Sequence, residues 1–121
     1  MTKTQLEFGE LLRQLRKERK KTMGDVANLL GVSVPFVSDV ERGNRTPFSP
    51  ERIHQIAKYL NTDPTPLLKA AAATKGTFEL DAKRVSEKGQ QFAASLMRSW
   101  SRLTEEQFEK LAQALPDEED P

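Results

Sequence analysis

The side chains able to do covalent chemistry are few and isolated. The chain has one histidine, His54, and no cysteine. With no second His, no Cys and no acid cluster at ligand spacing, His54 reads as a surface or loop-contacting residue, not a metal ligand. Ser33 and Ser38 have no His/Asp partner set, so nucleophilic catalysis has nothing to stand on. Glu105, Glu106 and Glu109 share a charged helix face, and paired-carboxylate chemistry needs a pocket that so small a domain does not readily build. There is no glycine-rich phosphate loop. The expectation is a non-enzyme with no cofactor and no metal.

Binding is the remaining class, and charge says where. Net charge is +1 over 121 residues, but it is unevenly spread. Residues 1–69 carry 12 Lys/Arg against 8 Asp/Glu, whereas residues 70–121 carry 7 against 10. Contact with a polyanion therefore belongs to the first half. The absence of cysteine fits a reducing compartment. No apolar run approaches a membrane span and no signal-peptide pattern follows the N-terminus. A soluble, cytoplasmic protein with no membrane partner is expected.

The elements that must position such a site are all helical. Helix 1 is predicted from about Thr4 to Arg19, with Phe8, Leu11, Leu12 and Leu15 on one face. Thr22 is a good N-cap with Asp25 in a capping-box-like position, and Val26, Ala27, Leu29 and Leu30 form the buried side of helix 2. Gly31 ends it in the left-handed conformation. Ser33 caps helix 3, which holds Pro35 in its first turn and Phe36, Val37 and Val40 inward, and Gly43 stops it. After a turn-rich loop, Ser49-Pro50-Glu51 opens helix 4, which carries Ile53, Ile56, Ala57 and Leu60 and ends at Asn61. Asp63 is expected to cap helix 5, from Pro64 to about Ala73. Residues 74–84 break the pattern and read as an extended connector whose Phe78 and Leu80 dock on a neighbour. A further helix is predicted from Val85 to about Trp100, with Gly89 its weak point, and Thr104 caps a last one bearing Phe108, Leu111, Ala112 and Leu115. The predicted organisation is therefore a domain at 1–73, a connector at 74–84, a helical segment at 85–116 and an acidic tail at 117–121.

Residues 22–43 carry the main signal. Two helices of about eight residues joined by Gly31-Val32-Ser33 can pack only at a steep angle, because the turn is too short for an antiparallel hairpin. Val26, Ala27, Leu30, Val32, Val37 and Val40 fall where that corner needs apolar groups. The corner leaves the N-terminus and outer face of helix 3 exposed, which suits entry into the major groove of double-stranded DNA. The N-terminus of helix 2, with free N–H groups and a positive dipole end, would face a phosphate.

Phe8-Gly9-Glu10-Leu11-Leu12-Arg13-Gln14-Leu15-Arg16, Asp25-Val26-Ala27-Asn28-Leu29-Leu30-Gly31-Val32-Ser33 and Phe36-Val37-Ser38-Asp39-Val40-Glu41-Arg42-Gly43 closely resemble the Xre family. These are the Cro/phage-repressor-like helix-turn-helix regulators, and Ile56-Ala57-Lys58-Tyr59-Leu60 and Pro66-Leu67-Leu68 extend the resemblance over about residues 6–70. It implies a five-helix lambda-repressor-like domain, here followed by two additional C-terminal helices, that binds a palindromic operator as a homodimer. It also implies that Ser33, Val34, Pro35, Ser38 and Asp39 face DNA from helix 3. Thr22, Met23, Arg42, Asn44 and Arg45 would lie against the sugar-phosphate backbone. Arg16 and Glu41 match a pair that such proteins often form as an internal salt bridge.

Two departures matter. Where the family often has Gln at the first residue of helix 2, this chain has Met23. Helix 3 offers no Arg, Lys, Gln or Asn before Arg42, so bidentate pairing to guanine or adenine is not available from it. Specificity is then expected to lean on hydroxyls, on the Asp39 carboxylate accepting from cytosine, on Val34 and Pro35 against thymine methyls, and on DNA shape. Asp39 would also repel phosphates. In the C-terminal segment, Phe92, Leu96, Trp100, Phe108 and Leu111 exceed what the first domain needs for its core. They either fold back or, the favoured reading, form a dimer interface. The function expected is repression of transcription. The alternative is an antitoxin or a protease-controlled repressor whose C-terminal helices bind a protein partner, a toxin or a metallopeptidase.

Overall fold

The computed structural model describes residues 7–116. Among them all regular structure is helical, with α1 at Phe8–Glu18, α2 at Met23–Leu30, α3 at Val34–Glu41, α4 at Pro50–Leu60, α5 at Thr65–Lys75, α6 at Glu87–Ser99 and α7 at Glu105–Gln113. Short 3-10 turns cover Ala82–Arg84 and Trp100–Arg102. The all-α expectation and the five-helix arrangement of the first part hold. The chain divides into two units, one up to Glu79 and one from Leu80 onward.

Local chemistry explains where the helices of the first unit begin. Thr22 and Asp25 form a full capping box: the Asp25 N–H donates to Thr22 Oγ1 at 3.0 Å and the Thr22 N–H to Asp25 Oδ2 at 2.8 Å. Ser33 Oγ accepts from the Phe36 N–H at 3.2 Å, and Ser49 Oγ from the Arg52 N–H at 3.4 Å. Each cap satisfies a donor that has no partner inside its helix. Three helices end in left-handed residues, at Gly31, at Asn61 (φ 56°) and at Gly76. Lys20, two residues past α1, takes the same conformation without being Gly or Asn, at φ 59°.

Packing then joins the five helices around one core. Leu12, Val26, Val37, Ile53, Ile56 and Leu67 are wholly buried, with α1 against α3 and α5 and α2 against α3 and α4. α1 and α3 approach closely at Gly9. A Cβ on Gly9 would land on the main-chain carbonyl of Glu41, so only glycine lets the two backbones meet there. Phe48, in the loop before α4, is buried; its ring meets Phe8 edge-on at 6.2 Å and stacks on Phe36 at 6.1 Å.

The structure departs from the periodicity in four places. α1 starts at Phe8 with Glu7 as a cap residue making no side-chain bond, and the expected start at Thr4 lies outside the described residues. α5 begins one residue later than expected, after Pro64, with Asp63 Oδ1 accepting from the Thr65 N–H at 3.0 Å. It then runs through Ala70 to Ala73 and on to Lys75, because alanine favours the helix and nothing stops it before Gly76. Phe78 and Leu80 do not dock: they are 66% and 72% exposed. Ser86, not a residue before Val85, starts α6, its Oγ taking the Gly89 N–H at 3.1 Å, and Asp81 caps the preceding turn through the Lys83 N–H. The acidic residues 117–121 lie outside the described residues.

In the second unit, Thr104 and Gln107 form another complete capping box for α7. Trp100 meets Phe108 edge-on at 5.2 Å. No residue of α6 or α7 is buried.

Candidate nucleic-acid interface

The corner between α2 and α3 is filled by Val26, Ala27, Val37 and Val40, with Leu30 and Val32 packed at its margin. This spends the inner faces of both helices and turns the first turn of α3 outward. Ser33, Val34 and Pro35 are exposed there, and Ser38 is half-buried one turn on. Ser33 Oγ is already an acceptor for the cap, so its O–H is left as a donor. Thr22 is in the same state at the head of α2. Met23 is half-buried and packs on the core. Asp25 is held below the usual carboxylate range, first by the Thr22 N–H it accepts and then by the Thr22 side chain.

One buried arginine sets the angle of this corner. Arg16 Nε reaches Glu41 Oε2 at 2.8 Å and Nη2 reaches Oε1 at 2.9 Å, a bidentate pair with both residues 6% exposed. Its third nitrogen, Nη1, donates to the Lys21 carbonyl at 3.0 Å. A single side chain thus joins α1, the end of α3 and the residue before the α2 cap. The hydrogen bond to Glu41 raises the Arg16 pKa above its ordinary value.

The loop after α3 folds back on that helix. The Gly43 N–H donates to the Val40 carbonyl at 3.1 Å and the Asn44 N–H to the Asp39 carbonyl at 2.8 Å, with Gly43 at φ 82°. This paired-bond ending needs the positive φ and reverses the chain. Arg45 returns over the Phe36 ring, 4.3 Å from guanidinium carbon to ring centre. Its Nε lies 3.8 Å from Asp39 Oδ2, and Arg42 Nη2 lies 3.6 Å from Asp39 Oδ1. The partly exposed Asp39 carboxylate thus lies between two arginines, one facing each of its oxygens. Asn44 is exposed at the tip of the turn.

Sequence reasoning missed three other residues around this face. Lys21 Nζ sits 4.9 Å from the centre of the Tyr59 ring, next to the head of α2. Arg19 Nε donates to the Leu60 carbonyl at 2.7 Å and caps the end of α4. Phe48 supports Phe36 from behind. Only Phe48 carried a usable signal, a large aromatic in a loop, and neither cation shows in any local pattern. The C-terminal candidates lie in the second unit. Phe92, Trp100 and Leu111 are 56%, 51% and 37% exposed, while Leu96 and Phe108 are half-buried.

Residues 7–70 match the model of the helix-turn-helix domain family, which is more than half of the chain. The chain belongs to this family, in its Xre/Cro-like branch. The helix-turn-helix chain is 43% identical over 53 residues to the HTH-type transcriptional repressor RghR of Bacillus subtilis (strain 168), covering 44% of this chain and 39% of that protein. It is 35% identical over 80 residues to the uncharacterized HTH-type transcriptional regulator RghRB of the same organism, covering 66% of this chain and 57% of that one. It thus spans well under two thirds of either relative. Both are named as transcriptional regulators and neither as an enzyme. A crystal structure of the restriction-modification controller protein C.AhdI from Aeromonas hydrophila overlaps at 35% identity and a TM-score of 0.44, over 50% of this chain and 89% of that one.

Proposed function

We propose that this helix-turn-helix chain is a sequence-specific DNA-binding regulator of transcription that acts as a dimeric repressor on a palindromic operator. One observation carries the reading: the inner faces of α2 and α3 are consumed by the core, while the first turn of α3 is left exposed and Arg42 and Arg45 follow in the turn after that helix. Ser33, Val34, Pro35 and Ser38 read base edges and thymine methyls in the major groove, and Thr22, Met23, Arg42, Asn44 and Arg45 lie along the backbone. Repression by exclusion of polymerase needs nothing beyond affinity for the site.

Dimerisation is assigned to the second unit. Phe92 and Met97 on α6 and Trp100 in the 3-10 turn after it are each more than half exposed, with Leu96 also on α6 and Leu111 on α7. A pair of short helices with no fully buried residue gains stability by covering these apolar side chains with a second copy. Selection of bound duplex from a random pool tests both parts. A recovered palindrome with half-sites about one helical turn apart supports the dimer, and recovery of unenriched sequence overturns sequence-specific binding. Sedimentation at micromolar concentration supplies the second check. A monomer whose affinity is unaffected by Phe92→Glu would leave the C-terminal face to a different protein partner.

A further inference from the structure

We propose that Asp39 is a positioning residue that holds Arg45 and Arg42 ready for the DNA backbone, and that it does not itself read a base. The proposal deepens the DNA-binding reading and rests on it. Asp39 lies on α3 where a base-reading side chain would be, and a lone carboxylate there would weaken phosphate binding. Its surroundings say otherwise. Oδ2 faces Arg45 Nε at 3.8 Å and Oδ1 faces Arg42 Nη2 at 3.6 Å, so a cytosine amino group would have to share either oxygen with an arginine.

The geometry also chooses which arginine nitrogens are used. Arg45 Nε lies 3.8 Å from Asp39, and the guanidinium carbon lies 4.3 Å from the Phe36 ring centre. The two terminal nitrogens remain as a fork for a phosphate, which is the part of arginine suited to bidentate contact. Phe36 is itself backed by the buried Phe48 ring. The Gly43 turn fixes where Arg45 re-enters, through the Asn44 N–H on the Asp39 carbonyl. Asp39 therefore binds the loop twice, by its backbone and by its side chain. Such exposed pairs add little to fold stability. Their effect is to lower the ordering cost of two long side chains before DNA arrives.

The sign of one measurement separates this from the two competing roles. With the full chain and its selected operator, Asp39→Ala should weaken binding about three- to tenfold. The same factor should appear on an unrelated duplex of equal length, and base preference should not change. In an Arg45→Ala background, removing Asp39 should cost twofold or less, or bring a gain. Tighter binding by Asp39→Ala in the otherwise wild-type chain overturns the proposal, since it shows simple repulsion. A loss confined to operators with cytosine at one position overturns it too, since it shows base reading. A readout without DNA keeps the test separate from the functional reading. NMR relaxation of the Arg45 Nε–H in the free chain should show order that Asp39→Asn abolishes, while the melting temperature stays the same. Unchanged Arg45 order in Asp39→Asn overturns the clamp, whether or not the chain binds DNA.

Discussion

Thr22-Asp25 and Thr104-Gln107 are the same device in two settings. Each is a complete capping box, one seating α2 and the other α7. Behind the first, Val26 and Ala27 go into a core shared by five helices. Behind the second, no side chain is buried. Caps and propensity decide that a helix exists, but burial decides that it is stable. An isolated helix under about 12–15 residues is marginal in water whatever its cap. The first unit should therefore melt as one cooperative body, and α6 and α7 should contribute little to that transition unless their apolar face is covered.

The largest effect expected from this contrast concerns ion pairs. Glu41→Ala leaves Arg16 buried without its partner and should destabilise the first unit by about 3–5 kcal/mol. Glu106→Ala breaks the exposed pair with Lys110, 3.7 Å apart on α7, and should shift the same transition by less than about 0.5 kcal/mol. Urea unfolding of the full chain measures both. Equal effects would break the comparison, because they would mean that the two units unfold together.

Glycine gives a sharper version, because the two units should respond with opposite signs. Gly9→Ala drives a Cβ onto the backbone of Glu41 and should cost about 1–3 kcal/mol as α1 is pushed off α3. At Gly89 the new Cβ would meet the Val85 Cβ at 3.1 Å, a contact relieved by a shift of a few tenths of an ångström in the exposed backbone ahead of the α6 cap. Gly89→Ala should then raise helicity by circular dichroism, in line with a propensity gain of up to about 1 kcal/mol. Loss of stability in both variants would mean that α6 is packed as tightly as α1.

The same contrast explains how far the sequence could be read. α2, α3, α4 and the corner between α2 and α3 are legible because each is written locally: a cap, an apolar stripe, then Gly31, Gly43 or Asn61. Phe48 escapes this grammar, since a loop residue has no period, and its place in the core follows from Phe8 and Phe36 arriving on either side. Asp39 misleads for the same reason. Its own neighbourhood shows a carboxylate on a helix, whereas its contact with Arg45 depends on that residue being carried back by the Gly43 turn. Phe78 and Leu80 suggested docking because they are apolar, but a pair without a periodic context does not specify a surface. In the candidate site, the residue positions and the Arg16–Glu41 pair came from the family resemblance, whereas the contacts of Asp39 with Arg42 and Arg45 had to come from three dimensions.

The two capping boxes also predict different responses to acid. Asp25 is held below its ordinary range by the Thr22 N–H, so its contribution is complete above the unfolded-state pKa, about 3.9. It is lost as pH falls through the lower folded-state value. Thr22→Ala should lower stability by about 1 kcal/mol at neutral pH. The stability difference between wild type and Asp25→Asn should shrink between pH 4 and about pH 2, as read by thermal melting. Thr104-Gln107 itself contains no titrating group, so Gln107→Glu should add an acid-sensitive loss of α7 helicity to the one that Glu105 and Glu106 already give the first turn. An acid response no larger in Gln107→Glu than in the wild type would show that the box does not hold the α7 helix.

The smallest effect concerns strain. Lys20 sits at φ 59° because its neighbours determine its conformation: the Lys21 N–H bonds the Arg16 carbonyl at 2.9 Å, and the Lys21 carbonyl is held by Arg16 Nη1 at 3.0 Å. Among the described residues, none of the second unit has a positive φ. Strain of this kind persists only where packing over-determines the backbone, which is another mark of the difference between the units. A left-handed residue with a Cβ costs about 1–2 kcal/mol, and glycine returns part of that gain through the freedom it adds to the unfolded chain. Lys20→Gly should therefore stabilise the first unit by about 0.5–1 kcal/mol, whereas Lys20→Ala, which keeps the Cβ, should leave the midpoint nearly unchanged. If both variants stabilise equally, the gain would come from removing a cation from the crowded end of α1, and the backbone at Lys20 would carry no strain.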